Sequence, residues 1–506
     1  MQASAWIASH ALRIPRRQAL QDLAFGRSFT YEELSRRIDA LAAHLTHGAG
    51  VRSGDRVVVL ARNSHHVVEI QYACAAIGAV FVPLNWRLNA EELVAIGQDC
   101  APALVLHESF FNGPAASVSN ALDVPALSWD SDGAPDAYEE ALAAVTAPVP
   151  PIESSGDAPW TIIYTSGTTG RPKGVILSHA SAMATMLSVV VAAEISASSL
   201  ALTALPMCHV AGLNLFTNPA LYMGATVVLM REYDAALAFH LLTRRTERVT
   251  HFCGVPANYQ FMQKLDDWDD ARFDGLTAFA GGSPVPEVLV QEWADRGAAL
   301  QTVYGISEAG AAVLLVPRAE ELTHKGTVGL PLMHIRARVV DGAGTDVPTG
   351  EVGELLIAGP SRTPGYWGAP DLTAQTIDTD GWLHTGDAAF IDQSGYVHLV
   401  DRFKDMYISG GENVYPAEVE NVLHQHPAVA EVAVVGVPDE RWGECGHAYI
   451  VPTANGHIDP DEIRDFARAR LAAYKAPKHV TTVTELPRNT IGKILKRTLR
   501  EKAATG

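Results

Sequence analysis

Short apolar runs closed by glycine, proline or a polar residue recur along the first two-thirds of the chain. "RVVVLARNS" followed by "VVEIQYACAAIGAVFVPLN" predicts strand, turn, apolar helix and strand in succession. "ATVVLM", "HFCGVP" and "LTAFAGGS" predict further short strands, and helical patterns such as "AALAFHLLTRRT" lie between such runs. Alternation of this kind predicts α/β layers built on parallel sheets. From about residue 326 the texture changes: "IRARVVDGAGTDVPTGEVGELLIAGP" has strand runs parted by glycine turns, the pattern of a smaller β-rich unit. After "YVHLVDRFKD" comes a compact βα pattern, "PAEVENVLHQH", "VAEVAVVGVP", "HAYIVP" and "PDEIRDFARARL". The expected fold class is therefore α/β. A large N-terminal domain of layered α/β subdomains with a β-rich subdomain spans 1–400. A hinge at 401–404 leads to a small, mobile C-terminal α+β domain at 405–506.

Length supports more than one domain, because 506 residues exceed what one ordinary core organises. A formal charge of −19 argues against a general nucleic-acid or membrane-surface protein. Five scattered cysteines without CxxC or zinc spacing fit a reducing compartment. The N-terminus lacks the unbroken apolar core of a signal peptide, and no run of about 18 apolar residues marks a membrane span. The expected location is the cytoplasm. Charge is unevenly spread: between Arg464 and Lys502 stand eleven Lys/Arg against three Asp/Glu. Such a stretch is either a solvated basic face or a local supply of cations for a polyanionic substrate.

"YTSGTTGRPKGV" (164–175) carries the first candidate chemistry. Its glycines bare backbone N–H groups, its Thr and Ser hydroxyls add donors and Lys173 adds a point charge, all suited to phosphate. The strand-like "WTIIY" before it places the loop at a sheet edge. It is not a Walker loop, because the residues five past Gly167 and Gly170 are Pro172 and Val175.

The stretch resembles the signature of the adenylate-forming superfamily, which includes acyl-CoA synthetases, peptide-synthetase adenylation domains and luciferases. "AGGSPVP" (280–286), "YGISEAG" (304–310), "GWLHTGD" (381–387), "DRFKDMYISGGENVYPAEVE" (401–420) and "PRNTIGKILKRTLR" (487–500) resemble its later motifs, in its order and over nearly the whole chain. The resemblance implies an AMP-forming acid–CoA ligase with ATP, Mg²⁺ and coenzyme A. It implies that Thr165, Ser166, Gly167, Thr168, Thr169 and Lys173 hold the β/γ-phosphates. Gly281, Gly282, Ser283, Tyr304, Gly305 and Ser307 would line the nucleotide site. Asp387, supported by Arg402, would take the ribose hydroxyls, and Glu308 with Thr165 would hold the metal. Lys493 would bridge the carboxylate and the α-phosphate, with Lys404 as the hinge residue. Read singly, Asp387 is equally a turn residue, Lys493 one more cation on a basic helix and Glu308 a helix N-terminal carboxylate; their order in the chain favours function.

The resemblance also places the acyl pocket around 207–224, 251–262 and the "AGGS" glycines, with His209, Asn214, Val255, Ala280 and Gly282 as candidates. None of these stretches contains Lys, Arg, Asp or Glu. A second carboxylate buried there would lack a partner, so an apolar monocarboxylate is expected: a medium- or long-chain fatty acid, or an aryl acid of the benzoate or hydroxycinnamate type. His209 is the candidate beside the carboxyl, with a core histidine as the other reading. No carrier domain follows the lysine motif, which favours free CoA. Gly410, Gly411, Trp442, Lys475 and Lys478 are its candidate contacts. Kept open are an enzyme loading a carrier-protein thiol, a luciferase-like oxygenase, a non-enzymatic nucleotide-binding relative, and a homodimer.

Overall fold

The computed structural model describes residues 4–130, 136–145, 147–165, 172–244, 248–402, 405–410, 412–453, 456–488 and 494–505, and the side chains of Ser4, Arg402, Ala504 and Thr505 lie outside the description. The first sheet has six strands in the order Ala126–Trp129, Leu104–Glu108, Arg56–Leu60, β1 (Val80–Leu84), β2 (Pro159–Thr165), β3 (Lys173–Ser178). Its first five strands run parallel, and β3 returns antiparallel to β2 with Thr165 opposite Lys173. The strand–helix–strand expectation is met by Arg56–Leu60, the helix His65–Ile77 and β1. That helix is buried at every position, which is why its sequence shows apolar character rather than a polar stripe.

The second sheet has nine strands and contains β4 (Leu200–Thr203), β5 (His251–Gly254), β6 (Thr277–Gly281) and β7 (Ala299–Tyr304) as parallel neighbours in that order. Strands buried on both faces read as continuous apolar runs, as "HFCG" and "TAFAG" do: every residue of β5 and β6 is buried. Between the two large sheets lies an extended apolar core that includes Trp6, Tyr31, Tyr72, Trp160 and Phe279.

The β-rich unit is an antiparallel four-stranded sheet in the order Arg336–Val340, Gly353–Ala358, β8 (Leu383–Ile391), β9 (Val397–Arg402). Strand β9 runs on through Arg402, past the boundary expected at 400. Beyond it, the long strands Val429–Asp439 and Gly443–Pro452 form an antiparallel pair, covered by the helices Pro416–Leu423 and Lys496–Thr505. This C-terminal unit has its own apolar clusters, around Tyr407, Val434 and Ile450 on one side and Val435, Tyr449 and Leu499 on the other.

Candidate active site

The C-terminal ends of β4, β5, β6 and β7 all face one edge of the nine-stranded sheet, and β1 and β2 end at one edge of the six-stranded sheet. Ligands of open α/β sheets bind beyond such ends. The candidate residues collect there: Thr165 ends β2, Val255 follows β5, Gly281 ends β6 with Gly282 and Ser283 next, and Tyr304 ends β7 with Gly305, Ser307 and Glu308 following.

Two of these glycines are required by close backbone approach. A Cβ on Gly281 would sit 2.3 Å from the Val303 carbonyl oxygen, and one on Gly305 would sit 1.6 Å from that of Ala311. At both positions the neighbouring backbone fills the space a side chain would take, which packs the ends of β6 and β7 closely against their surroundings. Asp387 reaches this edge from β8. It is buried, and its Oδ2 accepts a 2.6 Å hydrogen bond from the Tyr304 hydroxyl. Its own N–H donates to the Thr385 hydroxyl at 3.1 Å, and across the sheet it is paired with Arg402.

Glu308 lies in the short turn Ser307–Ala309 after β7. Its Oε1 accepts from the Tyr366 hydroxyl at 2.8 Å, and its carbonyl accepts from the Thr363 N–H at 2.7 Å. Lys173, at the start of β3, holds its ammonium 5.8 Å from the centre of the Tyr366 ring. A single carboxylate beside a phosphate-suited loop fits Mg²⁺, which binds through one or two carboxylates plus substrate phosphates rather than a full protein cage. Among the described residues the one cluster of metal-type ligands is elsewhere: His65, His66 and Glu139. There Glu139 is bonded by Arg27 at 2.6 Å and Arg37 at 2.8 Å, and two guanidiniums oppose a cation.

On the acyl side, His209 precedes the short helix Val210–Asn214. Burial, with the Arg87 charge adding to it, pulls its imidazole down to about 4, so it is neutral at pH 7. Burial pushes the neighbouring Cys208 thiol up to about 12, against the pull of Arg87. Arg87, whose charge bears on His209 and Cys208, lies outside the pocket stretches read from the sequence. It follows β1 in "LNWR", exposed and stacked on Trp86 at 4.3 Å. Its position just past a parallel strand's C-terminal end is the signal that marks it. Of the other pocket candidates, Ala280 is buried in β6, and Gly282 faces Val255, whose Cγ1 is 3.6 Å from where a Cβ would stand. Asn214 is buried and accepts from Asn218 Nδ2 at 3.0 Å; Asn218 in turn accepts from Tyr72.

In the C-terminal unit, Gly410 donates its N–H to the Trp442 carbonyl at 2.8 Å and lies against the indole, which is 43% exposed. The basic stretch is largely matched by acids. Lys475 binds Glu418 at 2.7 Å, Lys478 pairs with Asp439, and Arg488, Lys496 and Arg500 pair with Glu431, Glu420 and Asp405. Ser166, Gly167, Thr168, Thr169, Lys404, Gly411 and Lys493 lie outside the described residues, as does the Arg402 side chain.

A family model for AMP-binding enzymes matches residues 7–367, and one for the C-terminal domain of AMP-binding enzymes matches 418–493. The chain is similar to the feruloyl-CoA synthase of Amycolatopsis sp, at 41% identity over 94% of each chain. It is also similar to the fatty acid–[acyl-carrier-protein] ligase ScoC of Streptomyces coeruleorubidus, at 39% over 97% of this chain and 95% of that one. Among solved structures, ATP-bound MatB from Rhodopseudomonas palustris superimposes with a TM-score of 0.91 at 29% identity, covering 99% of both chains.

Proposed function

From the premise that the chain belongs to the AMP-binding enzyme family and is an AMP-forming acid–CoA ligase, we propose how its residues divide two half-reactions. In the first, a substrate carboxylate oxygen bonds to the α-phosphorus of ATP and the bond to the β-phosphate oxygen breaks, giving acyl-adenylate and pyrophosphate. In the second, the CoA sulfur bonds to the acyl carbon, the acyl–oxygen bond breaks, and AMP departs.

The observation that carries the reading is the buried Tyr304–Asp387 hydrogen bond of 2.6 Å. It fixes a carboxylate with acceptors for two ribose hydroxyls at the C-terminal end of β7. Beside it, Thr165, Ser166, Thr168, Thr169 and Lys173 hold the β/γ-phosphates, and Glu308 offers a hard oxygen to Mg²⁺. The ion supplies charge neutralisation on the phosphates when bound. Lys493 bridges the acid and the α-phosphate, where charge develops during in-line transfer. His209, neutral, stands beside the carboxyl without adding a second charge. Gly410, Gly411, Trp442, Lys475 and Lys478 are assigned to CoA; the two lysines would exchange a carboxylate partner for phosphate.

The acid is an apolar monocarboxylate, aryl or fatty, in keeping with the feruloyl-CoA synthase and the fatty acid ligase it resembles. We place the enzyme in the cytoplasm, since its five cysteines are buried and unpaired, and leave a homodimer open. ScoC favours a second reading, in which the acceptor is a carrier-protein thiol. AMP release across a panel of acids with CoA as the sole thiol separates the two: acyl-CoA appears only if CoA is the acceptor. Lys493→Ala should abolish pyrophosphate release while CoA still consumes preformed acyl-adenylate; equal loss of both steps refutes the role given to Lys493.

A further inference from the structure

The turn holding Glu308 and the strand β3 leading out of the phosphate loop belong to different sheets, and one segment, 363–367, ties them together. Along β3 it behaves as an added edge strand. The Thr363 hydroxyl donates to the Ile176 carbonyl at 2.6 Å, Ile176 N–H to the Gly365 carbonyl at 3.1 Å, and Trp367 N–H to the Gly174 carbonyl at 2.7 Å. Tyr366 is bridged to Val175 in the same ladder. On its other side the segment holds Glu308 twice, through Thr363 N–H to its carbonyl and Tyr366 hydroxyl to its carboxylate. The Tyr366 ring meanwhile faces the Lys173 ammonium at 5.8 Å, within reach of a cation–π contact. Tyr366 is itself pinned, being 7% exposed, with its backbone N–H donating to the Thr373 hydroxyl at 3.0 Å.

We propose that Tyr366 is a positioning residue for the adenylation half-reaction, orienting the Glu308 carboxylate toward the ion and the Lys173 ammonium toward the β/γ-phosphates. This rests on the reading of Glu308 as the Mg²⁺ ligand. One Glu308 oxygen is fixed by the phenol, which sets the plane of the carboxylate and aims the second oxygen. Partners one step behind a metal ligand act in this way: they orient the ligand without touching substrate. No part of the arrangement concerns the thioester step, which needs neither the β/γ-phosphates nor their ion.

The test titrates ATP into the full-length protein at a series of Mg²⁺ concentrations by calorimetry, for wild type, Tyr366→Phe, Tyr366→Leu and Glu308→Gln. Tyr366→Phe keeps the ring and removes only the hydroxyl. It should raise the Mg²⁺ concentration for half-maximal ATP affinity roughly tenfold, the low end of what such partners contribute to metal affinity, and excess Mg²⁺ should restore binding. Tyr366→Leu, which also loses the contact with Lys173, should weaken ATP even at saturating Mg²⁺. Thioester formation from preformed acyl-adenylate should stay within about twofold of wild type for Tyr366→Phe. A Tyr366→Phe titration that superimposes on wild type while Glu308→Gln shifts it overturns the role of Tyr366 alone. No shift in Glu308→Gln removes the metal assignment and the proposal with it. Parallel loss of both half-reactions without a Mg²⁺ shift reduces Tyr366 to a packing residue and also overturns it.

Discussion

Gly305 and Gly282 differ in what a methyl group would meet. At Gly305 the new Cβ would lie 1.6 Å from the Ala311 carbonyl oxygen, so the turn after β7 must move. Gly305→Ala should lower stability by about 1–3 kcal/mol and reduce pyrophosphate release far more than thioester formation from preformed adenylate. At Gly282 there is room, with Val255 at 3.6 Å, but the backbone is left-handed at φ +78°. Gly282→Ala should cost about 1–2 kcal/mol of strain and narrow the acyl pocket. Melting temperatures and acid-panel profiles of both variants check these expectations. The histidines give a pH expectation. Burial holds His179 and His209 at about 4, and His66 well below its ordinary value. The folded state therefore resists protons that the unfolded chain accepts near pH 6.5. That contribution is complete above pH 6.5 and is lost as the pH falls from 6.5 toward 4. Urea midpoints should fall between pH 7.5 and pH 5, with His179→Gln flattening part of the slope; a pH-independent midpoint contradicts the assignment.

At the scale of elements, strands with an apolar run are legible in the sequence: "HFCG" and "TAFAG", each with its glycine, are within β5 and β6, and "WTIIY" is most of β2. Buried parallel strands have no other way to read. The partners of the site residues were not legible, because they are set by sheet order rather than spacing. Tyr366 stands 58 positions from Glu308 and Asp387 stands 83 from Tyr304. Lys475 and Lys478 read as free cations because Glu418 and Asp439, 57 and 39 positions away, lie outside the basic stretch. The same long-range logic sets up the join between β9 and the C-terminal unit. Asp401, near the end of β9, accepts from the Ala417 N–H at 2.8 Å, at the first turn of the helix Pro416–Leu423. Lys496, at the start of the last helix, lies 3.9 Å from Asp401 and 2.8 Å from Glu420. Any rotation about 403–404 must break the Asp401 contacts while the Lys496–Glu420 pair travels intact. Asp401→Ala should therefore change the two half-reaction rates by unequal factors, about tenfold apart if one charge-assisted hydrogen bond of about 1.5 kcal/mol is removed. Equal factors would mean that Asp401 does not bias the pose.

At the scale of the whole molecule, one site has to serve two reactions. On the roles proposed above, Lys493 serves the first and the CoA contacts assigned around Gly410 and Trp442 the second, and all of these positions lie after residue 404 in the chain. A rotation of the C-terminal unit, as the family resemblance implies, lets each set take its turn, and Lys404 is where the chain would turn. A hinge residue must absorb a large change in φ and ψ. Proline fixes φ near −65° and restricts the residue before it, here Phe403. Lys404→Pro should therefore hold the C-terminal unit in one pose, which we expect to be the adenylating one. Single-turnover pyrophosphate release should stay near wild type while acyl-CoA formation collapses. If Lys404 is only a solvated linker cation, the substitution leaves both steps alike. Measuring the steps separately on a variant whose melting curve matches wild type decides between these outcomes, because a misfolded protein would lose both steps and its cooperative transition together.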